Sequence, residues 1–272
     1  MSQIVAIFLF CCTGLSQVNP HALADLLEEL FHHFRESMER KPNEKVRVKK
    51  RRELLFVQIG RLFKFISERK IFAQCPVVVD SSGAFSSVLI DYIERMRVFL
   101  EGEIKSSESS SYVADIKLSY CHFVCNLIKS FPISQRSSKI SREMRQNLFR
   151  LFASMSGKYG QMFLHVNYQY PLQTLDFSKI TELEHLATRS MSTVLCAGPL
   201  FDQKNLLDGN SLYFWLTSLL NSRDRRMNEI GLESLILLLE SNLDAGECLC
   251  WCCTFFILLI AFSNFNFCRP TS

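Results

Sequence analysis

The sequence predicts an all-α protein, and three observations carry that expectation. Breakers are scarce, with 10 glycines and 7 prolines in 272 residues, which favours long helices over tight turns. Apolar residues recur at spacings of three and four, the period of one helical face. Phenylalanine is unusually common at 23, and its ring suits the gap between neighbouring helices. Hydrophobic residues at 48% and charged residues at 21% fit a folded chain with a core and exclude a disordered tail.

The elements follow in order. "NPHALADLLEELFHHFRESMERK" opens on Asn19 as N-cap with Pro20 at the first helical position. Leu23, Leu26, Leu27, Leu30, Phe31 and Phe34 make its apolar face. The next helix is expected from Glu44 to Phe72, roughly 29 residues or about 43 Å. Its stripe is Leu55, Ile59, Leu62, Phe63 and Ile66. "SSGAFSS" (81–87) reads as a loop. Residues 87–103 are amphipathic through Leu89, Ile93, Met96, Val98 and Leu100. "KSSESSS" (105–111) is a low-complexity polar linker. Residues 112–131 and 138–157 form further helices, the second stopped at Gly157. Residues 159–177 lack a clear helical period and have some strand character. A helix over 178–199, with a capping box running from Ser178 to Thr181 and Glu182, stops at Gly198-Pro199. A helical hairpin with its turn near 221–224 closes the series.

About eight helices with short loops therefore pair into antiparallel units of roughly 40–50 residues, the length of HEAT or armadillo repeats. The expected fold is an α-solenoid of such pairs, with a globular bundle as the alternative.

The chain divides into three parts: an apolar N-terminus (1–17), a helical-repeat domain (18–243) and a Cys/Phe-rich apolar tail (244–272). The N-terminus has the length of a signal-peptide core but lacks the positive charge that should precede it. The tail carries an uncharged stretch over 248–268, whose solid apolar run, Leu249 to Phe262, is short for a membrane span. It admits three readings: a membrane anchor, cysteines that are lipidated or hold a metal, or translated non-coding sequence. The third is favoured, because T-rich codons yield Phe, Leu, Ile and Cys. Of 11 cysteines, only Cys75, Cys121, Cys125 and Cys196 lie in the long middle, where they read as reduced, buried thiols of an intracellular protein.

No catalytic set emerges. The sequence has no P-loop, dinucleotide fingerprint, G-x-S-x-G or H-E-x-x-H. Cys121 and Cys125 share a helical face and supply half a metal site at most, and His122 points about 100° away. His32 and His33 are adjacent and expected to diverge. Asp25, Glu28 and Glu29 read as a solvated face. No catalytic residue, cofactor, metal or small-molecule substrate is expected, and the chain is not expected to be an enzyme.

One stretch stands out. Six of the eight residues from Lys45 to Arg52 are basic, while the whole chain carries only +4, so the remainder is net acidic. Lys45, Arg47, Lys49, Lys50, Arg51 and Arg52 are expected all round the helix, on an end that projects into water. Nucleic-acid binding would bring wider basicity or interleaved aromatics. "KKRR" (49–52) also fits a nuclear address, a pattern common by chance. An acidic protein surface is the partner most compatible with a helical scaffold.

Several segments together resemble one family. "NPHALADLLEEL", "ESMERKPN", "KKRRELL", "QIGRLFKFISERKIF", "IDYIERMRVFLEGE", "REMRQNLFRLFASMSGKYG", "CAGPLFD" and "GLESLILLLESN" are similar, in order from Val18 to Asn242, to the Furry family of cell-morphogenesis proteins. The resemblance implies a HEAT/armadillo-type, non-enzymatic cytoplasmic scaffold, at the cell cortex or on microtubules. Such a scaffold binds NDR-class kinases and Mob adaptors and promotes polarised growth and neurite development. This chain is much shorter than family members, is less Arg-rich in its basic run, and departs after "LLLESN". A fragment or short form is therefore expected. The alternatives are a C-terminally membrane-anchored helical adaptor and a nucleic-acid binder acting through residues 45–52.

Overall fold

The computed structural model describes residues 14, 17, 19–38, 46–75, 84–104, 111–164, 181–198 and 209–242. Every regular element among them is a helix, so the fold is all-α. The helices are α1 (Leu23–Met38), α2 (Val46–Glu68), α3 (Ile71–Gln74), α4 (Ala84–Ile104), α5 (Ser111–Ser130) and α6 (Ile133–Lys139). Then come α7 (Arg142–Met155), α8 (Lys158–Gln161), α9 (Glu182–Leu195), α10 (Gly209–Leu220) and α11 (Arg225–Asn242). The expectations for 1–13, the linker at 105–110, the strand character beyond Leu164 and the tail from 243 fall outside the described residues.

Local chemistry moved several boundaries. Pro20 lies in a turn ahead of α1, where the Asn19 side chain accepts the His21 N–H at 3.0 Å. The long second helix breaks at Lys70, which takes a left-handed φ of 57° before the single turn of α3. Residues 84–87 belong to α4 and not to a loop. The helix expected over 138–157 is two, because Ser141 takes an extended ψ and caps α7 through Met144 N–H at 3.2 Å. The capping box of α9 sits three residues later than expected. Thr181 accepts the Glu184 N–H at 3.2 Å, and the Glu184 carboxylate accepts the Thr181 N–H at 2.7 Å. Leu55 and Val98, both expected in apolar stripes, are exposed.

The core is one continuous cluster of buried residues from Leu23 to Leu238. Its densest part is aromatic. Tyr92 packs edge-on to Phe63 at 4.5 Å and against Phe34 and Phe123, and Phe63 stacks on Phe123 at 5.1 Å. Tyr120 donates its hydroxyl to the Ile93 carbonyl at 2.8 Å, so a buried polar group is satisfied between α4 and α5.

Four helices lie side by side in the order α2, α5, α9, α11. Their contacts advance together along both members of each neighbouring pair. Arg61 reaches Asp115 and Phe63 reaches Phe123 across α2 and α5. Ser190 donates to the Cys121 carbonyl and Thr193 meets Cys125 across α5 and α9. Arg189 pairs with Glu233, Ser192 with Ser234, and Ser241 donates to the Cys196 carbonyl across α9 and α11. Rising numbers on both sides mean that the four helices run parallel. The connecting helices come back the other way. Gly157 at the end of α7 meets Glu184 near the start of α9, and Gly198 past the end of α9 meets Arg145 near the start of α7. A close antiparallel approach at Gly231 joins α11 to Leu219 and Leu220 of α10.

Candidate functional site: a basic groove at the head of two parallel helices

Because α2 and α5 run parallel, their N-termini lie at the same end of the molecule. On α2, Arg47, Lys50, Arg51 and Leu54 follow the spacing of one helical face. Tyr112, the second residue of α5, joins them. Together they line an open groove of about 510 Å³.

The electrostatics of this groove are one-sided. Neither α2 nor α5 carries an acidic residue in its first turn. The partial positive charge of both helix N-termini therefore adds to three full cations. Arg47, Lys50 and Arg51 are exposed, and none has an ion-pair partner among the described residues. Arg47, in the first turn of α2, opposes the dipole at a cost on the order of 0.3–1 kcal/mol. Three exposed cations on one helical face, the first of them inside the first turn, leave this end of the molecule strongly positive.

The structure sorts the six basic residues of the sequence reading. Arg47, Lys50 and Arg51 share the groove. Lys49 turns aside, with its Nζ 3.8 Å from the Glu53 carboxylate. Arg52 is buried at 9% exposure beside Glu53 at 2%. The helix end therefore does not project freely: its opposite side is seated in the body. Lys45 lies outside the described residues. Sequence reasoning missed Leu54 and Tyr112. Leu54 continues the 47, 50, 51 stripe by one turn and was legible as such. Tyr112 is 58 residues further along than Leu54, and only the parallel packing of α5 brings it there.

Within the body of the fold, the described cysteines, His185 and His122 are held by burial or by hydrogen bonds. Cys75, Cys121, Cys125 and Cys196 are free and buried. Burial pushes the Cys121 and Cys196 thiols well above their usual range, which keeps them protonated and inert. His185 spends Nδ1 on the Thr181 carbonyl at 2.9 Å and Nε2 on Asp224 at 3.0 Å, so neither nitrogen is left for a nucleophile. Burial acts to raise the Asp224 carboxyl, but the hydrogen bond from His185 and the N–H groups of Met227 and Arg226 outweigh it and hold it below the usual range. Asp224 accepts both of those N–H groups and so caps α11. His122 lies 3.7 Å from Glu68, yet burial and the charge of Lys64 lower it to about 4. That contact is not an ion pair at neutral pH. No helix of the described residues is long and apolar enough to cross a membrane. No protein-family model matches the chain, and no solved structure matches it.

Proposed function

We propose that the chain is a non-enzymatic α-solenoid scaffold of the Furry type, which docks an acidic segment of a protein partner in the groove formed by Arg47, Lys50, Arg51, Leu54 and Tyr112. The observation that carries the proposal is the groove itself: three cations without partners among the described residues, gathered beside an aromatic ring at two helix N-termini. Charge steers an acidic partner there and fixes its register, while Leu54 and Tyr112 offer apolar area to hold it.

The parallel run of α2, α5, α9 and α11 supports the solenoid part of the reading. Antiparallel returns link its members, and the contacts between α9 and α11 have sequence separations of 44, 42 and 45 residues. Those lengths match a HEAT or armadillo unit of about 40–47 residues, while the joints α2–α5 and α5–α9 are longer, at 54 and at 68 and 69 residues. The resemblance to the Furry family adds the class of partner, an NDR-class kinase with its Mob adaptor, or a microtubule surface. It also adds the setting, polarised growth in the cytoplasm or at the cell cortex.

The test is a pull-down of the kinase and adaptor by the full chain, beside Arg47→Glu/Lys50→Glu/Arg51→Glu. The proposal expects capture by the parent and loss in a variant of unchanged helical content. Equal capture by both would overturn the groove as the contact. Capture of a single-stranded RNA instead, weakening steeply with salt, would favour a nucleic-acid binder.

A further inference from the structure

On α1, outside the groove lining, His32, His33 and Glu36 place one donor atom each within 4.8 Å of one another. All three side chains are exposed. Adjacency alone predicts two diverging histidines. Instead their rings sit edge to face, with centroids 5.7 Å apart at 89°, and Glu36 stands one turn beyond His32 on the same face. Neither His32 nor Glu36 has a hydrogen bond or ion pair among the described residues. On the other side, Glu29 stands one turn before His33 and 3.5 Å from its Nε2. A carboxylate in that place is positioned to accept from Nε2 as a metal seats on the ring's other nitrogen.

We propose that His32, His33 and Glu36 bind a borderline divalent cation, Zn²⁺ in the first instance, with Glu29 orienting His33. Two imidazoles and one carboxylate select Zn²⁺ over Mg²⁺ or Ca²⁺, which take oxygen ligands. Ligand bonds of about 2.0–2.2 Å put tetrahedral donors ~3.4 Å apart. The present spacing closes to that value by rotation of exposed side chains. Three protein ligands leave a fourth position for water or for one donor from a partner. The bound ion ties Glu36 to the turn before it and so braces α1 against fraying. This site stands independently of the scaffold reading.

The test is equilibrium dialysis of the full chain against micromolar free Zn²⁺, with ¹⁵N-histidine spectra recorded on the same samples. The thiol-rich stretch 248–268 offers Zn²⁺ ligands in every variant, so the site is read as a difference. His32→Asn, His33→Asn and Glu36→Gln each bind one ion fewer per chain than the parent, and Zn²⁺ shifts the ring nitrogens of two histidines in the parent only. All three positions are exposed, so circular dichroism should be unchanged. Equal stoichiometry in parent and variants, or histidine spectra that do not respond to Zn²⁺, would overturn the proposal.

Discussion

Gly157 shows how a single residue sets the fold. Its φ of 56° is disfavoured for any side chain, and a Cβ there would lie 2.1 Å from the Glu184 carboxylate that closes the α9 capping box. Gly157→Ala therefore strains the backbone and displaces a cap together. Chemical denaturation should show a loss of about 2–3 kcal/mol. His122 makes a pH prediction. Its folded value, about 4, lies below the ordinary histidine value of 6.5, so the folded state resists a proton that the unfolded chain takes up. Stability is full above pH 6.5 and declines as pH falls towards 4, by about 1–2 kcal/mol after allowing for partial exposure. His122→Gln should flatten that slope in denaturation curves recorded across the window. An unchanged slope would assign it to other groups. At this scale the sequence was partly legible. The buried thiols and the basic run stood out by composition. The orientation of each cation did not, because it depends on which side of α2 meets the body.

Elements were legible where apolar periodicity was strong and blurred where polar residues took over the ends. The centre of α2 follows the expected stripe, with Ile59, Leu62, Phe63 and Ile66 buried. Its end at Lys70 was not visible, since nothing in "SERKIF" is a breaker. The division between α6 and α7 turns on one serine hydroxyl, and "SKIS" reads equally well as helix. The α9 capping box was mislocated because Ser178 and Thr181 both precede acidic residues, and only geometry shows which one accepts. Thr181→Ala removes the box and should cost about 1 kcal/mol, read as a shift in the urea midpoint without a change of slope. Glu184→Gln keeps the acceptor and should cost less.

Among the described residues, four helices run parallel, braced by returning partners, with one core through them. The joints between the runs carry specific polar contacts. Glu233 of α11 accepts from both Lys129 of α5 and Arg189 of α9, so it ties three members together. Burial opposes the Glu233 charge, but those two cations outweigh it and hold the carboxyl below its usual range. Glu233→Ala leaves two cations facing each other across the joint and should destabilise the chain by about 1–3 kcal/mol in thermal unfolding. The all-α class was readable from composition and period. The parallel order was not, because it is set by contacts between residues roughly 40–70 apart, such as Ser190 with Cys121. That order creates the groove, by bringing the head of α5 to the head of α2.

A binding titration of the kinase–adaptor complex with the full chain and with Arg47→Glu/Lys50→Glu/Arg51→Glu, at low and at physiological salt, decides whether the groove is the contact. Docking in the groove predicts saturable binding by the parent that weakens with salt, and at least about a tenfold loss in the variant at unchanged melting temperature. Equal affinity of parent and variant at both salts would contradict it and leave the groove without a role in partner binding.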